Sequence, residues 1–280
     1  MNDIQSSLEN AYETLQAISD SAKLDSEILL CHVLEKNRAF LRAWPDKQLN
    51  PRQKEKFLAL VKRRQTGVPI AYIVGSKEFW SREFNVNQHV LIPRPETELL
   101  IELALDLIPD NQFKSILDLG TGSGAIGITL AMERPTTKVI ATDISIQALE
   151  VAKTNAKKHN AFNITFRPSH WLKQLANEKH HLIVSNPPYI DPADPHLQQG
   201  DLRFEPNSAL IANKQGLEDI FEIVETAKNF LYDGGYLLIE HGYNQKQQVQ
   251  SIYEKFKYTN IASHYDLAGQ PRITLGQWHP

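Results

Sequence analysis

Cysteine is almost absent from this 280-residue chain, where Cys31 stands alone. One thiol forms no internal disulfide and anchors no cysteine-based metal site, so neither can staple the fold, and no metal is expected. Long apolar runs are also missing. None approaches the ~18 residues that a membrane-spanning helix requires, so no membrane partner is expected. The opening Met1-Asn2-Asp3-Ile4 has no basic stretch leading into an apolar core, which argues against a secretory signal. Positive charge is not in excess either. Thirty Lys and Arg stand against 33 Asp and Glu, a formal net charge of -3. Proteins that grip a duplex by its phosphates carry a basic face. The balance here points away from direct nucleic-acid binding and toward a protein partner. Repeats and low-complexity tracts are lacking too. What remains is an ordinary globular composition, 41% hydrophobic and 22% charged, in a chain long enough for two domains. Low cysteine usage and the missing leader together suggest a cytoplasmic setting.

The first part of the chain reads as short amphipathic helices, residues 1–75. Leu8, Ala11, Tyr12, Leu15 and Ile18 recur at helical spacing. Leu24 to Leu34 is a second apolar-rich segment. Asn50-Pro51 resembles an N-cap followed by proline at the first helical position. The helix after it should carry Phe57, Leu58, Leu60 and Val61 on one side. Lys54, Lys56, Lys62, Arg63 and Arg64 should lie on the other, as a solvated face or a docking surface for an acidic partner. Gly67-Val68-Pro69 ends this part. Ile70 to Val86 mixes β-branched and aromatic residues with turn formers and suggests a hairpin linker, residues 76–92 in the domain division. Residues 93–280 form the second domain. Its apolar runs at 116–119, 138–142, 164–166, 182–184 and 236–239 alternate with helical stretches, and further strands are expected near Ile261 and at 272–275. That alternation predicts a mostly parallel sheet covered on both faces.

Two loops in the second domain carry chemistry. The first strand runs into Asp118-Leu119-Gly120-Thr121-Gly122-Ser123-Gly124, and a helix follows from Ala125. Glycines at such a turn let a ligand approach the backbone, and the helix N-terminus offers free amides. About nineteen residues beyond Gly124, Asp143 closes the second strand, where a carboxylate can accept both hydroxyls of a ribose. An adenosine-type ligand is implied. The G-x-G-x-G spacing, preceded by Asp118, resembles the cofactor loop of class I methyltransferases, which binds S-adenosylmethionine; a nicotinamide dinucleotide is the competing ligand on this motif alone.

The second loop, Asn186-Pro187-Pro188-Tyr189, follows the fourth strand. Its residue types suit methyl transfer to a planar nitrogen, whose lone pair is delocalised and must be aligned rather than deprotonated. The Asn186 side-chain oxygen can accept one N–H. A backbone carbonyl from the Pro187-Pro188 segment can accept the other, pre-aimed because each proline restricts its own backbone and that of its predecessor. Tyr189 offers a flat wall. Catalysis would rest on positioning and electrostatic preorganisation, with the proton leaving after transfer.

Over essentially its whole length the sequence resembles the bacterial release-factor glutamine N5-methyltransferases. The Asn-Pro-Pro-Tyr loop is shared with N6-adenine nucleic-acid methyltransferases, which remain the alternative. Three further segments favour the glutamine enzymes: the helical N-terminal domain with residues 25–30, the run Leu91-Ile92-Pro93-Arg94-Pro95-Glu96-Thr97-Glu98, and residues 195–206. The resemblance implies a Rossmann-like α/β domain of seven strands, the last antiparallel, preceded by the helical domain as a substrate-recognition module. It implies that Gly120, Thr121, Gly122, Ser123 and Gly124 hold S-adenosylmethionine and its product S-adenosylhomocysteine. Asp143 would hold the ribose, Trp171 line the adenine, and Asn186 contribute to the same site. Asn186, Pro187, Pro188 and Tyr189 would hold the substrate glutamine of the Gly-Gly-Gln motif in peptide chain release factors 1 and 2. At position 170 the family commonly carries an acidic residue. His170 stands there instead, so a backbone or side-chain carbonyl would have to replace a carboxylate at the adenine amine.

Overall fold

A computed structural model of the chain describes residues 3–109 and 114–280. The chain divides into two compact units. One comprises Met1–Ser76 with Pro195–Phe204, the other Lys77–Asp194 with Glu205–Pro280. Among the described residues no helix is long and apolar enough to cross a membrane.

The first unit is helical. Its helices are Ile4–Leu15, Ala22–Leu34, Arg38–Ala43, Pro51–Gln65 and Ile70–Val74. Three of these helices start at side-chain caps written in the sequence. Asp3 accepts the Ser6 N–H at 2.8 Å, and Asn37 accepts that of Phe40 at 3.0 Å. Asn50 and Gln53 form a reciprocal capping box in front of Pro51, as Asn50-Pro51 implied. The core gathers Ile4, Leu15, Leu29, Leu30, Phe57 and Val61.

Two sequence expectations need correction in this unit. On the helix Pro51–Gln65 the buried stripe is Phe57, Leu60, Val61 and Arg64, whereas Leu58 is 52% exposed. The stripe follows the i, i+3, i+4, i+7 rule, and Arg64 falls on it despite its charge. The charge is matched: its guanidinium donates to Asp25 Oδ2 at 2.8 Å and Asp201 Oδ1 at 2.7 Å. Asp201 belongs to Pro195–Phe204, the stretch that groups with the helices. The second correction concerns the β-rich reading of Ile70–Val86. Its first five residues are helical, entered from Pro69 and stopped by Gly75 in a left-handed conformation.

The hairpin itself comprises β1, Ser76–Phe79, and β2, Arg82–Asn85. Trp80 and Ser81 turn it with φ of 52° and 54°, the mirror-image turn that matches strand twist.

The second unit is built on a seven-stranded sheet. Its strands are β3, Ser115–Leu119; β4, Lys138–Asp143; β5, Ile164–Pro168; β6, His180–Ser185; β7, Leu231–Glu240; β8, Thr259–Tyr265; and β9, Pro271–Gln277. The order is β5-β4-β3-β6-β7-β9-β8. The pairs among β5, β4, β3, β6 and β7 are parallel, and β9 runs antiparallel to both β7 and β8. This is the expected mostly parallel sheet with its last strand reversed. Successive side chains alternate faces, and each face has its own core. Ile116, Val139, Leu182 and Leu238 pack with Leu100, Ile101 and Ile128. Leu117, Ile140, Ile183 and Leu237 pack with Ile220, Val224 and Tyr253.

From β3 the chain steps to β4 on one side, while β6 lies on the other. The strand order therefore reverses at β3, and ligands of open α/β sheets bind outside the carboxyl ends of strands at such a point. Leu119 pairs in register with Thr142 on one side and Ser185 on the other. The loops that follow all three strands are thereby brought together.

Candidate active site

The glycine loop leaves β3 under tight control. Asp118 is fully buried, and its Oδ2 accepts the Thr121 hydroxyl at 2.6 Å and the Gly127 N–H at 2.9 Å. Burial pushes this carboxyl up to about 7 against the pull of those two donors. Gly120, Gly122 and Gly124 all adopt positive φ. At Gly120 a methyl group would meet the Trp171 ring at 3.1 Å, whereas at Gly122 it would face open space. Asp143, at the end of β4, accepts the N–H of Gly122 and of Ser145, both at 2.9 Å. Burial raises its carboxyl, opposed by those backbone donors. The carboxylate thus ties the glycine loop to the second strand while keeping lone pairs for further donors.

Trp171 is held in a left-handed conformation, φ 48°, rare for a bulky residue. Two hydrogen bonds fix it. Ser169 Oγ donates to its carbonyl at 2.8 Å, and its indole Nε1 donates to Asp219 Oδ1 at 2.9 Å. His170 stands beside it with Nδ1 3.5 Å from Glu222 Oε1. Among the described residues no group of His, Cys, Asp or Glu has the arrangement of a metal site.

The loop after β6 is braced differently. Asn186 donates from Nδ2 to Thr97 Oγ1 at 3.2 Å. The Thr97 hydroxyl donates to Glu240 Oε2 at 2.7 Å, and the Tyr189 hydroxyl to Glu240 Oε1 at 3.4 Å. Glu240 ends β7 and is 1% exposed. Burial lifts its carboxyl to about 7, the Thr97 bond pulling it back and the Glu96 charge adding to the rise. The Tyr189 carbonyl is occupied by Gln245 Nε2 at 3.0 Å.

One cleft connects these loops. Gly120, Thr121, Gly122, Ser123 and Asp143 line it together with Trp171, Asn186 and Pro188. Gly124 serves as N-cap of the helix Ala125–Glu133. Pro187 is buried in the turn, and Tyr189 packs behind, with its ring on the core and its hydroxyl on Glu240. Three participants were not read from the sequence in these positions: Thr97, Asp219 and Glu240. Glu240 had a signal, as a lone acid closing an apolar strand at the ligand-binding edge of the sheet. Glu205, also buried, secures the mouth by accepting from Ile92 N–H at 3.1 Å and from Arg94.

The arrangement fits a nucleoside-bearing methyl donor. The open backbone at Gly122 and the carboxylate at Asp143 could cradle such a group and accept its hydroxyls, and Asn186 and Pro188 of the polar loop line the same cleft. Comparison with known proteins agrees. Residues 6–75 match the family model described as PrmC N-terminal domain, and residues 96–201 match that of the methyltransferase small domain. The release factor glutamine methyltransferase of Aliivibrio fischeri is 47% identical across 93% of this chain and 92% of its own. That of Vibrio cholerae is 48% identical across 98% and 96%. A methyltransferase crystal structure from Pyrococcus furiosus aligns with a TM-score of 0.56 over 80% of this chain and 98% of its own. Its 18% identity makes this a likeness of fold. Identity at this level along nearly the full length makes the chain a member of the release factor glutamine methyltransferase family.

Proposed function

We propose that the protein methylates the side-chain amide nitrogen, N5, of the glutamine in the Gly-Gly-Gln motif of peptide chain release factors 1 and 2, in the cytoplasm. The observation that carries this reading is the orientation of Asn186. Its Nδ2 is spent on Thr97, so its Oδ1 remains to accept an N–H from a substrate amide in the cleft that Gly120–Ser123 and Asp143 also line.

S-adenosylmethionine, when bound, supplies an electrophilic methyl group on a sulfonium. The chain's own residues do the rest. Asp143 would accept the ribose hydroxyls, the glycine loop would admit the methionine part, and the Trp171 ring would bound the adenine. Asn186 Oδ1 and a carbonyl of the Pro187-Pro188 segment accept the two amide hydrogens. Their pull would favour a pyramidal nitrogen with its lone pair localised for attack. Because the nitrogen becomes acidic once alkylated, no side chain has to deprotonate it beforehand. The rate gain comes from alignment and from dipoles fixed before the reaction.

The test is a mass spectrum of each release factor after incubation with the protein and S-adenosylmethionine, with an adenine-containing duplex in parallel. One added methyl group on the Gly-Gly-Gln peptide is expected. Methylation of the duplex with an unmodified release factor would overturn the reading.

A further inference from the structure

We propose that Thr97 and Glu240 are positioning residues that fix the polarity of the hydrogen-bond chain ending at Asn186, and that this polarity is what demands asparagine rather than aspartate at position 186. The inference deepens the glutamine-methylation reading and rests on it for its kinetic arm only.

Above about pH 7 the Glu240 carboxyl is ionised and can only accept. Glu240 uses Oε2 for the Thr97 hydroxyl at 2.7 Å and Oε1 for the Tyr189 hydroxyl at 3.4 Å. The one hydrogen on Thr97 Oγ1 is therefore committed to Glu240, and that oxygen can meet Asn186 only as an acceptor. The group facing it at 3.2 Å must be the amide NH2, as found. Oδ1 is then turned away from Thr97. Thr97 is 4% exposed and Glu240 1% exposed, so water cannot readily substitute for either partner. An aspartate at 186 would present lone pairs to an oxygen with no hydrogen left to give. It would also set a second carboxylate near a buried first one.

The direction of the chain can be reversed by a single substitution. In Glu240→Gln, the new amide NH2 can donate to Thr97 Oγ1 while its oxygen still accepts from Tyr189. The Thr97 hydroxyl then has its hydrogen free to donate outward. That reversed chain mispairs with the Asn186 NH2 and drives the asparagine to flip, but it suits a carboxylate at 186. Glu240→Gln should therefore harm the natural enzyme and repair Asn186→Asp.

Steady-state methylation of release factor by the full-length wild type, both single variants and the double variant forms a thermodynamic cycle. Glu240→Gln is expected to lower kcat about 10-fold with little change in KM for S-adenosylmethionine. Asn186→Asp should cost about 100-fold in the wild-type background and at least 10-fold less in the Glu240→Gln background. Thr97→Val, which keeps the shape and removes the hydroxyl, should lose activity that Thr97→Ser retains. Equal losses from Asn186→Asp in both backgrounds, or wild-type kcat in Thr97→Val, would overturn the proposal. A readout independent of turnover is the nuclear Overhauser contact between the Asn186 side-chain NH2 and the Thr97 side chain in isotope-labelled protein. It should be present in the wild type and lost in Glu240→Gln. Absence from the wild type overturns the relay. Its presence in a wild type that transfers no methyl group supports the relay and counts against the glutamine reading instead.

Discussion

Above about pH 7 the Glu240 carboxylate is charged while only 1% exposed. Its folded-state value lies above the ordinary one, so the native state holds the proton more tightly than the unfolded chain does. The stability this contributes is fully present below the ordinary value of 4.5 and lost as pH rises through about 7. A neutral side chain of the same shape escapes that loss. Glu240→Gln should melt at a higher temperature than the wild type near pH 8, and the difference should shrink toward pH 5. Thermal melts at the two pH values check it, and an unchanged difference would place the buried charge elsewhere. Variants at Asp143 and Asn186 should separate binding from chemistry. Asp143→Ala should weaken calorimetric binding of S-adenosylhomocysteine by about 1–3 kcal/mol, the range for lost hydrogen bonds to a charged group. Asn186→Ala should lower turnover about 100-fold or more and change that affinity much less.

Among the elements, legibility followed sequence distance. The capping box at Asn50, the glycine turn after β3, Asp143 at the close of β4 and the Asn-Pro-Pro-Tyr loop after β6 are local patterns. Each could be read because a turn or a cap needs particular residues within a few positions. Thr97 stood inside a recognised run, yet its role depends on a partner 143 residues away at Glu240 and another 89 residues away at Asn186. No spacing rule reaches that far. Helix periodicity located the stripe on Pro51–Gln65, but charge sorted Arg64 to the wrong face, since its two carboxylates lie outside the helix. Three exposed cations of this helix, Lys56, Lys62 and Arg63, stand clear of the stripe. Changing the three to Gln should slow capture of release factor, more at low salt than at high, because exposed charges steer encounters that salt screens. Stopped-flow association rates across a salt series would show it. An unchanged rate at low salt would assign the contact to another surface.

For the whole molecule, Arg64 is the test of the helical unit. Removing one member of a buried ion pair leaves the other uncompensated, which typically costs about 3–5 kcal/mol. Arg64→Met should cost about 3 kcal/mol by denaturant unfolding, toward the lower end because Asp201 is partly exposed. A loss below about 1 kcal/mol would mean that the pair contributes no more than a surface bridge.

That ion pair also imposes a timetable. Arg64 and Asp201 are separated by 137 residues, and the chain passes from the helical unit to the sheet unit and back before Asp201 appears. During synthesis at roughly 5–20 residues per second, the N-terminal helices therefore wait on the order of ten seconds for their last buried charge to be matched. The first unit to emerge is among the last to be finished, and until then Arg64 has Asp25, the Ser19 hydroxyl and the Gly67 and Val68 carbonyls but lacks its second carboxylate.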